Sequence, residues 1–229
     1  MTAENALSKS SADAGVSASA PAKPRILDIG CGRNKMTGAL GMDMNPKTDA
    51  DVIHDLNSFP YPFEDSEFDL VVGHHIIEHV TDPLGVMKEL HRITRPGGHV
   101  RLVTPHWTNP DWASDLTHRN HLNSYSFHDL TEDRAVFPFY TDVRFRQIQV
   151  RVTVAKLWKW IGVEGLINLD HRFPGFRFFR RFWEFYLNAI MRGKEIQFEL
   201  EVIKDATPKA STTVSTPAKE KTVVPAKAE

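Results

Sequence analysis

Arg25-Ile-Leu-Asp-Ile-Gly-Cys-Gly32 is the stretch that decides the fold. A short apolar run that ends in glycines reads as a buried strand delivering the chain into a tight turn. The glycines let the backbone turn sharply and approach a ligand where a Cβ would clash. Working outward, Leu40-Gly-Met-Asp43, Asp51-Val-Ile-His54 and Phe68-Asp-Leu-Val-Val72 read as three further short strands, the last followed by His-His and a helical stretch. Asp82-Pro83 opens a helix whose apolar positions Val86, Met87, Leu90 and Ile93 recur at spacings of three and four. Pro96-Gly97-Gly98 ends that helix and turns the chain into a fifth strand, His99–Thr104.

Beyond Thr104 the pattern loosens. Residues 105–125, rich in Pro, Trp, His and Asn, read as an ordered loop over a site, and Ser126–Asp133 as a short helix. Val143–Val154 alternates, with a bulge expected near Arg146-Gln147, and Ile196–Val202 alternates cleanly with a period of two. These are the last two strands, and the polar face of the final one suits an antiparallel edge addition. Strand–helix alternation argues for a parallel sheet covered by helices. The expected fold is therefore α/β: a doubly wound, Rossmann-like sheet of seven strands, the last antiparallel, with helices on both faces.

The 229 residues suit one domain with extra segments. That domain is expected over 25–204, with an aromatic and basic helical insert at 155–193. The ends, 1–24 and 205–229, contain no aromatic residue and too few apolar side chains to offset the entropy of ordering, so they read as disordered tails. A formal net charge of −1 gives no global field toward nucleic acid, and no nucleic-acid partner is expected. The single cysteine, Cys31, excludes an internal disulfide and is compatible with a reducing compartment. No secretory leader or apolar run of membrane-spanning length is seen, so a cytoplasmic location is expected, with peripheral membrane contact left open.

The tip of the first strand is where an open parallel sheet binds ligands. Asp28, Gly30 and Gly32 stand there. Asp43 closes the second strand, where a carboxylate can accept from both hydroxyls of a ribose. Asp55 and Leu56 follow the third strand, in reach of the edge and face of a base. A dinucleotide-binding dehydrogenase requires three glycines in register and an acidic residue about 20 positions on. Here Asp43 stands 13 positions after Gly30 and the third glycine is missing.

Taken in order, Leu27-Asp-Ile-Gly-Cys-Gly32, Gly41-Met-Asp43, Asp55-Leu56, Pro62-Phe-Glu-Asp-Ser-Glu-Phe-Asp69, Ile77-Glu-His-Val80 and Arg95-Pro-Gly-Gly98 resemble the class I S-adenosylmethionine-dependent methyltransferases. The stretch Phe68–Val80 looks like the small-molecule branch. The resemblance implies S-adenosyl-L-methionine as cofactor. Asp28, Gly30 and Gly32 would lie along its methionine part, Asp43 at its ribose, and Asp55 and Leu56 at its adenine. His74 would sit beside the methionine and methyl. One departure is Asn34, which stands where the family carries a third glycine. Asn tolerates left-handed backbone and can replace glycine there. Only eight residues separate Gly32 from Gly41, about 12 Å as helix, so the first helix is limited to one or two turns.

The implied reaction is methyl transfer to a small-molecule, sugar or lipid-linked acceptor at oxygen or nitrogen. Alternatives are a catalytically idle cofactor-binding scaffold and an NAD-dependent oxidoreductase. A hydroxyl acceptor benefits from a general base, most often His. Of eleven histidines, His118 ranks first as base and His106 second, with Asp115, three residues before His118, orienting its ring. A metal is not the expected reading, although His106, Asp115, His118 and His121 leave a zinc or iron set open. Glu78 and His79 read as residues that start a helix, His91 as solvated and His54 as a packing residue.

In the insert, Phe179, Trp183, Tyr186 and Ile190 form one helical stripe and Phe178, Phe182, Phe185 and Ala189 a second. One stripe suffices for a core face. The other is left for the acceptor pocket, for a homodimer through 176–191 or for a membrane surface. Three arginines near that helix's start oppose its dipole and suit an anionic partner.

Overall fold

The computed structural model describes residues 23–131 and 141–204. The expected tails lie outside the described residues apart from Lys23 and Pro24, as does the end of the helix expected over 126–133, which is otherwise a single 3-10 turn at His128–Leu130. Seven strands, β1 (Ile26–Ile29), β2 (Leu40–Asp43), β3 (Val52–Ile53), β4 (Phe68–His74), β5 (Thr94–Pro105), β6 (Arg144–Val154) and β7 (Gly193–Ile203), form one sheet. Their order is β3-β2-β1-β4-β5-β7-β6. The first five run parallel, and β7 is antiparallel to both its neighbours. The last strand is thus inserted between β5 and β6 rather than added at the edge, and β6 is the edge.

The order of strands reverses between β1 and β4, and the crevice outside the carboxyl ends of those strands is where such a sheet takes its ligand. Leu27, Ile29, Val71 and Leu102 are fully buried around it. Helix α1 (Pro83–Ile93) starts as the sequence predicts: Asp82 caps it by accepting the Gly85 N–H at 2.8 Å, and Pro83 occupies the first turn. It buries Val86, Met87, Leu90 and Ile93. The opposite, outward positions of β5 and β7 are polar and cross-linked, as in Arg101–Glu199 at 2.8 Å.

Several local expectations change. No helix joins β1 to β2; residues 31–39 run through turns. Asn34 is not left-handed: among the described non-glycine residues only Ser66 and His75 have positive φ. Arg95-Pro-Gly-Gly98 is a bulge inside β5, since the pairing with β4 jumps from Phe68–Thr94 to Leu70–His99. His91 is not solvated: its Nε2 lies 2.8 Å from the Ile203 carbonyl, its ring packs on Phe145, and burial pushes its pKa down.

The insert forms α2 (Lys156–Trp160), α3 (Val163–Ile167), α4 (Arg177–Phe182) and a π turn over Trp183–Leu187. Neither predicted stripe is the buried one. The inward face is Arg180, Trp183, Glu184 and Asn188, while Phe178, Phe182, Phe185, Tyr186 and Ile190 are exposed. The reason is polar: Glu184, with Asn188 bonded to it, turns toward His106 and Ser124, and Arg180 and Asn168 face the open main chain of β6. Asn168 accepts the Val152 N–H at 2.8 Å and donates to the Val152 carbonyl at 2.7 Å, as a neighbouring strand would. The Val150 carbonyl accepts from Arg180 and His171. Side chains thereby protect a sheet edge, and Arg180 is held in turn by Asp170.

Candidate active site

The loop after β1 is built for close approach. Gly30 has φ +62° and Gly32 φ +56°. A Cβ on Gly30 would meet Ile76 at 2.4 Å, while Gly32 faces open space. Asp43 ties this loop to β2: its Oδ2 accepts the Gly32 N–H at 3.0 Å and its Oδ1 the Asn45 N–H at 2.8 Å. Asp28 is buried and accepts the Met36 N–H at 2.7 Å. Burial pushes its carboxyl up, against the pull of that N–H, His74 and Lys35. Burial, aided by Asp28 and Asp43, also pushes the Cys31 thiol up to about 11, so Cys31 is an inert packing residue.

Two hollows meet at Gly30. One, of about 590 Å³, is lined by Asp28, Gly32, Asn34, Met36, His74 and His75. The other, of about 90 Å³, is lined by Asp43, His54, Asp55, Leu56, Ile76 and His79. Every residue read from sequence as cofactor-binding lies on one of these two walls. Asp55 Oδ1 takes both Asn57 donors at 2.9 and 3.0 Å.

The segment after β4 is not a helix start. His75 has φ +52° and residues 77–79 form a turn. The loop over the site is clamped to it: the N–H groups of Arg119 and Asn120 donate to the Glu78 carbonyl, and Asn120 Nδ2 donates to those of Ile77 and Val80. This clamp buries Glu78 completely. Its Oε2 accepts from Thr104 at 3.0 Å. His118 lies over it, its side chain 9% exposed, with Nε2 4.0 Å from Glu78 Oε1 and 3.8 Å from Asp115 Oδ2. A carbonyl only accepts, so the 2.8 Å contact of His118 Nδ1 with Trp112 O puts the proton on Nδ1 and leaves Nε2 a free lone pair. Trp112, rather than Asp115, fixes the ring. Asp115 instead accepts from the N–H and hydroxyl of Thr117, which hold its carboxyl below the ordinary range.

His106 is not a base. It is fully buried, its Nε2 donates to Glu184 Oε2 at 2.9 Å, and its Nδ1 faces the N–H and hydroxyl of Thr108 at 3.2 and 2.7 Å. Gly193 packs on it so closely that a Cβ would meet the ring at 2.5 Å. The four-residue metal set suggested by spacing is not assembled either, because His106 is committed to Glu184 and His121 stacks on Trp112 at 3.8 Å. Sequence reading missed Glu184. It sits in an aromatic helix where its one partner nearby in sequence is Asn188, and only the fold brings His106 and Ser124 to it.

A methyltransferase-domain family model matches residues 10–134, more than half the chain. The chain belongs to this methyltransferase family. An uncharacterised methyltransferase of Schizosaccharomyces pombe is 43% identical over 42 residues, 18% of this chain; the chain spans only 15% of that relative's length. Among solved structures, the YcgJ protein from Bacillus subtilis aligns with TM-score 0.49 at 15% identity, over 80% of this chain and 93% of that one. A SAM-dependent methyltransferase from Archaeoglobus fulgidus aligns with TM-score 0.47 at 16% identity, over 78% and 86%.

The methyltransferase's cofactor is S-adenosylmethionine, which supplies a sulfonium-activated methyl group. The residues fit it. Two hollows joined at a glycine suit a ligand with two arms, and each Asp43 oxygen holds one backbone N–H and keeps a lone pair for a ribose hydroxyl. Asp28, Gly30, Gly32 and His74 would face the amino-acid arm, and Asp55 and Leu56 the base.

Proposed function

We propose that this methyltransferase acts on a hydroxyl or amine of a small-molecule, sugar or lipid-linked acceptor, with His118 taking the acceptor's proton when that group is a hydroxyl. The observation that carries this is the fixed tautomer of His118, whose Nε2 lone pair is oriented by the Trp112 carbonyl beside the His79 wall of the cofactor hollow. The acceptor oxygen forms its bond to the methyl carbon while the carbon–sulfur bond breaks and sulfur keeps that electron pair. The acceptor proton passes to Nε2, where the new charge faces the Asp115 and Glu78 carboxylates at 3.8 and 4.0 Å. Holding the reactants in line can contribute about 7–11 kcal/mol and the base about 10²–10⁴-fold. The exposed aromatics of 176–191, with Arg177 and Arg181 beside Phe178 and Phe185, support a peripheral contact that would deliver a lipid-linked or anionic acceptor.

Calorimetric titration with S-adenosylmethionine, followed by a search of cell extract for product carrying its labelled methyl, tests the reading. Binding and one labelled low-molecular-weight or lipid product are expected. His118→Ala should keep cofactor affinity and lose at least tenfold in turnover on a hydroxyl acceptor; near-full turnover there would remove His118 from the role. Failure of the wild-type chain to bind the cofactor would sink the reading as a whole.

A further inference from the structure

We propose that Glu78, His79 and His118 form a divalent-cation site, of the kind that takes zinc, on the acceptor side of the cofactor hollow. One candidate ligand atom from each of the three residues lies within 4.8 Å of the others. What separates this cluster from a chance gathering is the state of each atom. Glu78 Oε1 is completely buried and receives no hydrogen bond, although Oε2 of the same carboxylate is satisfied by Thr104. His75 Nδ1 lies 3.4 Å away, an ion pair to Oε1 when that ring is protonated, and a bound cation would take over that role. A buried carboxylate oxygen with no donor costs about 1–3 kcal/mol or more, and such an atom in a polar cluster asks for a cation.

Both imidazoles carry their free lone pair on Nε2. His118 donates Nδ1–H to the Trp112 carbonyl, so Nε2 is its ligand atom. For His79 the argument runs through Thr117. The Thr117 hydroxyl has one proton, and the contact at 2.6 Å gives it to the Asp115 carboxylate. Thr117 can then only accept from His79 Nδ1 at 2.9 Å, so His79 too is protonated at Nδ1 and free at Nε2. An imidazole that gives its second N–H to a carbonyl, or to a carboxylate through a hydroxyl, is the outer arrangement that fixes metal-binding histidines. The two rings lie edge to face with centroids 4.6 Å apart. Two histidines and one carboxylate leave coordination positions open, as in catalytic rather than structural sites.

The site rests on the methyl-transfer reading only for its role. There a bound cation would take the acceptor's hydroxyl oxygen as a further ligand and ease loss of its proton. With the cation bound, the Nε2 lone pair of His118 is a ligand and the proton leaves to solvent; in the metal-free chain the same lone pair takes the proton. The substrate class narrows to hydroxyl acceptors able to reach the cation.

The test uses the full chain, stripped with chelator and titrated with Zn²⁺ alone by calorimetry, then loaded with Co²⁺ for its visible absorption. One equivalent of Zn²⁺ should bind, and the Co²⁺ form should show bands of nitrogen and oxygen ligation. His79→Ala and His118→Ala should each weaken Zn²⁺ by at least about 100-fold, and Thr117→Val by about 10–100-fold, since it removes only the anchor of His79. His121→Ala should bind as the wild type does. No Zn²⁺ binding by the wild-type chain, or binding unchanged in His118→Ala, overturns the site. Glu78→Gln separates ligation from folding: it should keep the thermal transition and lose the Co²⁺ bands, whereas retained bands would overturn the site. None of these readings uses acceptor or S-adenosylmethionine, so loss of the metal site leaves methyl transfer standing, and failure of cofactor binding leaves the metal site standing.

Discussion

Asp43 shows how one residue can shape a loop and still present a ligand surface. Its two oxygens hold the Gly32 and Asn45 N–H groups, which fixes the approach of the glycine turn to the cofactor hollow. Hydrogen bonds to a charged group contribute about 1.5–3 kcal/mol each. Asp43→Asn, which keeps the volume but turns an NH2 toward one of these donors, should therefore weaken S-adenosylmethionine by roughly 10–100-fold in a calorimetric titration and cost about 1–3 kcal/mol of stability. Unchanged affinity would move the ribose elsewhere. The place of this residue on the crevice, with Asp28, Gly30 and Gly32, was legible because it follows from position at a strand end. Glu78 was not. In sequence it is an acidic residue amid apolar ones, and its burial comes from Arg119 and Asn120, some forty positions on, which bond to its carbonyl.

At the scale of the element, the insert between β6 and β7 shows why periodicity misleads. Counting aromatics gave two apolar stripes, but the face that turns inward carries Arg180, Glu184 and Asn188 around Trp183. Glu184, with Asn188 bonded to it, meets His106 and Ser124. Arg180, with Asn168 and His171 before it, meets the unpaired N–H and C=O groups of an edge strand, so polar side chains rather than apolar ones complete both contacts. Asn168 does this most directly, and Asn168→Ala strands both polar groups of Val152. A loss of about 1–3 kcal/mol is expected in urea unfolding, and Asn168→Asp should not restore it, since its second oxygen would face the Val152 and Glu164 carbonyls. The aromatics that are left outside make a separate prediction. Vesicles of anionic lipid should co-sediment the chain at low salt, and a variant with Phe178, Phe182 and Phe185 changed to Ser should be released. Equal sedimentation of the two would end the membrane reading.

Across the whole molecule, the parallel strands and the place of the ligand crevice could be read from local signals, because each of these short apolar runs ends in turn residues. The second half could not, because its organising contacts are long-range and polar. The centre of these is Glu184, which joins the end of β5 through His106, the following loop through Ser124 and its own helix through Asn188. Burial alone would raise its carboxyl, but His106, Ser124 and Asn188 override that and hold it below the ordinary carboxylate range. A group whose pKa falls on folding adds stability above its unfolded value, about 4.3 for Glu, and loses it as pH falls through the folded value. Glu184→Gln keeps shape but turns an amide N–H toward a donor at Ser124 or His106. It should cost about 1–3 kcal/mol at pH 7. The gap between wild type and variant should then narrow as unfolding is measured at pH 5, 4 and 3, because only the wild type has this carboxylate to protonate. A gap that stays constant over that range would mean that Glu184 is not held ionised by the fold, and that the second half is joined by packing alone.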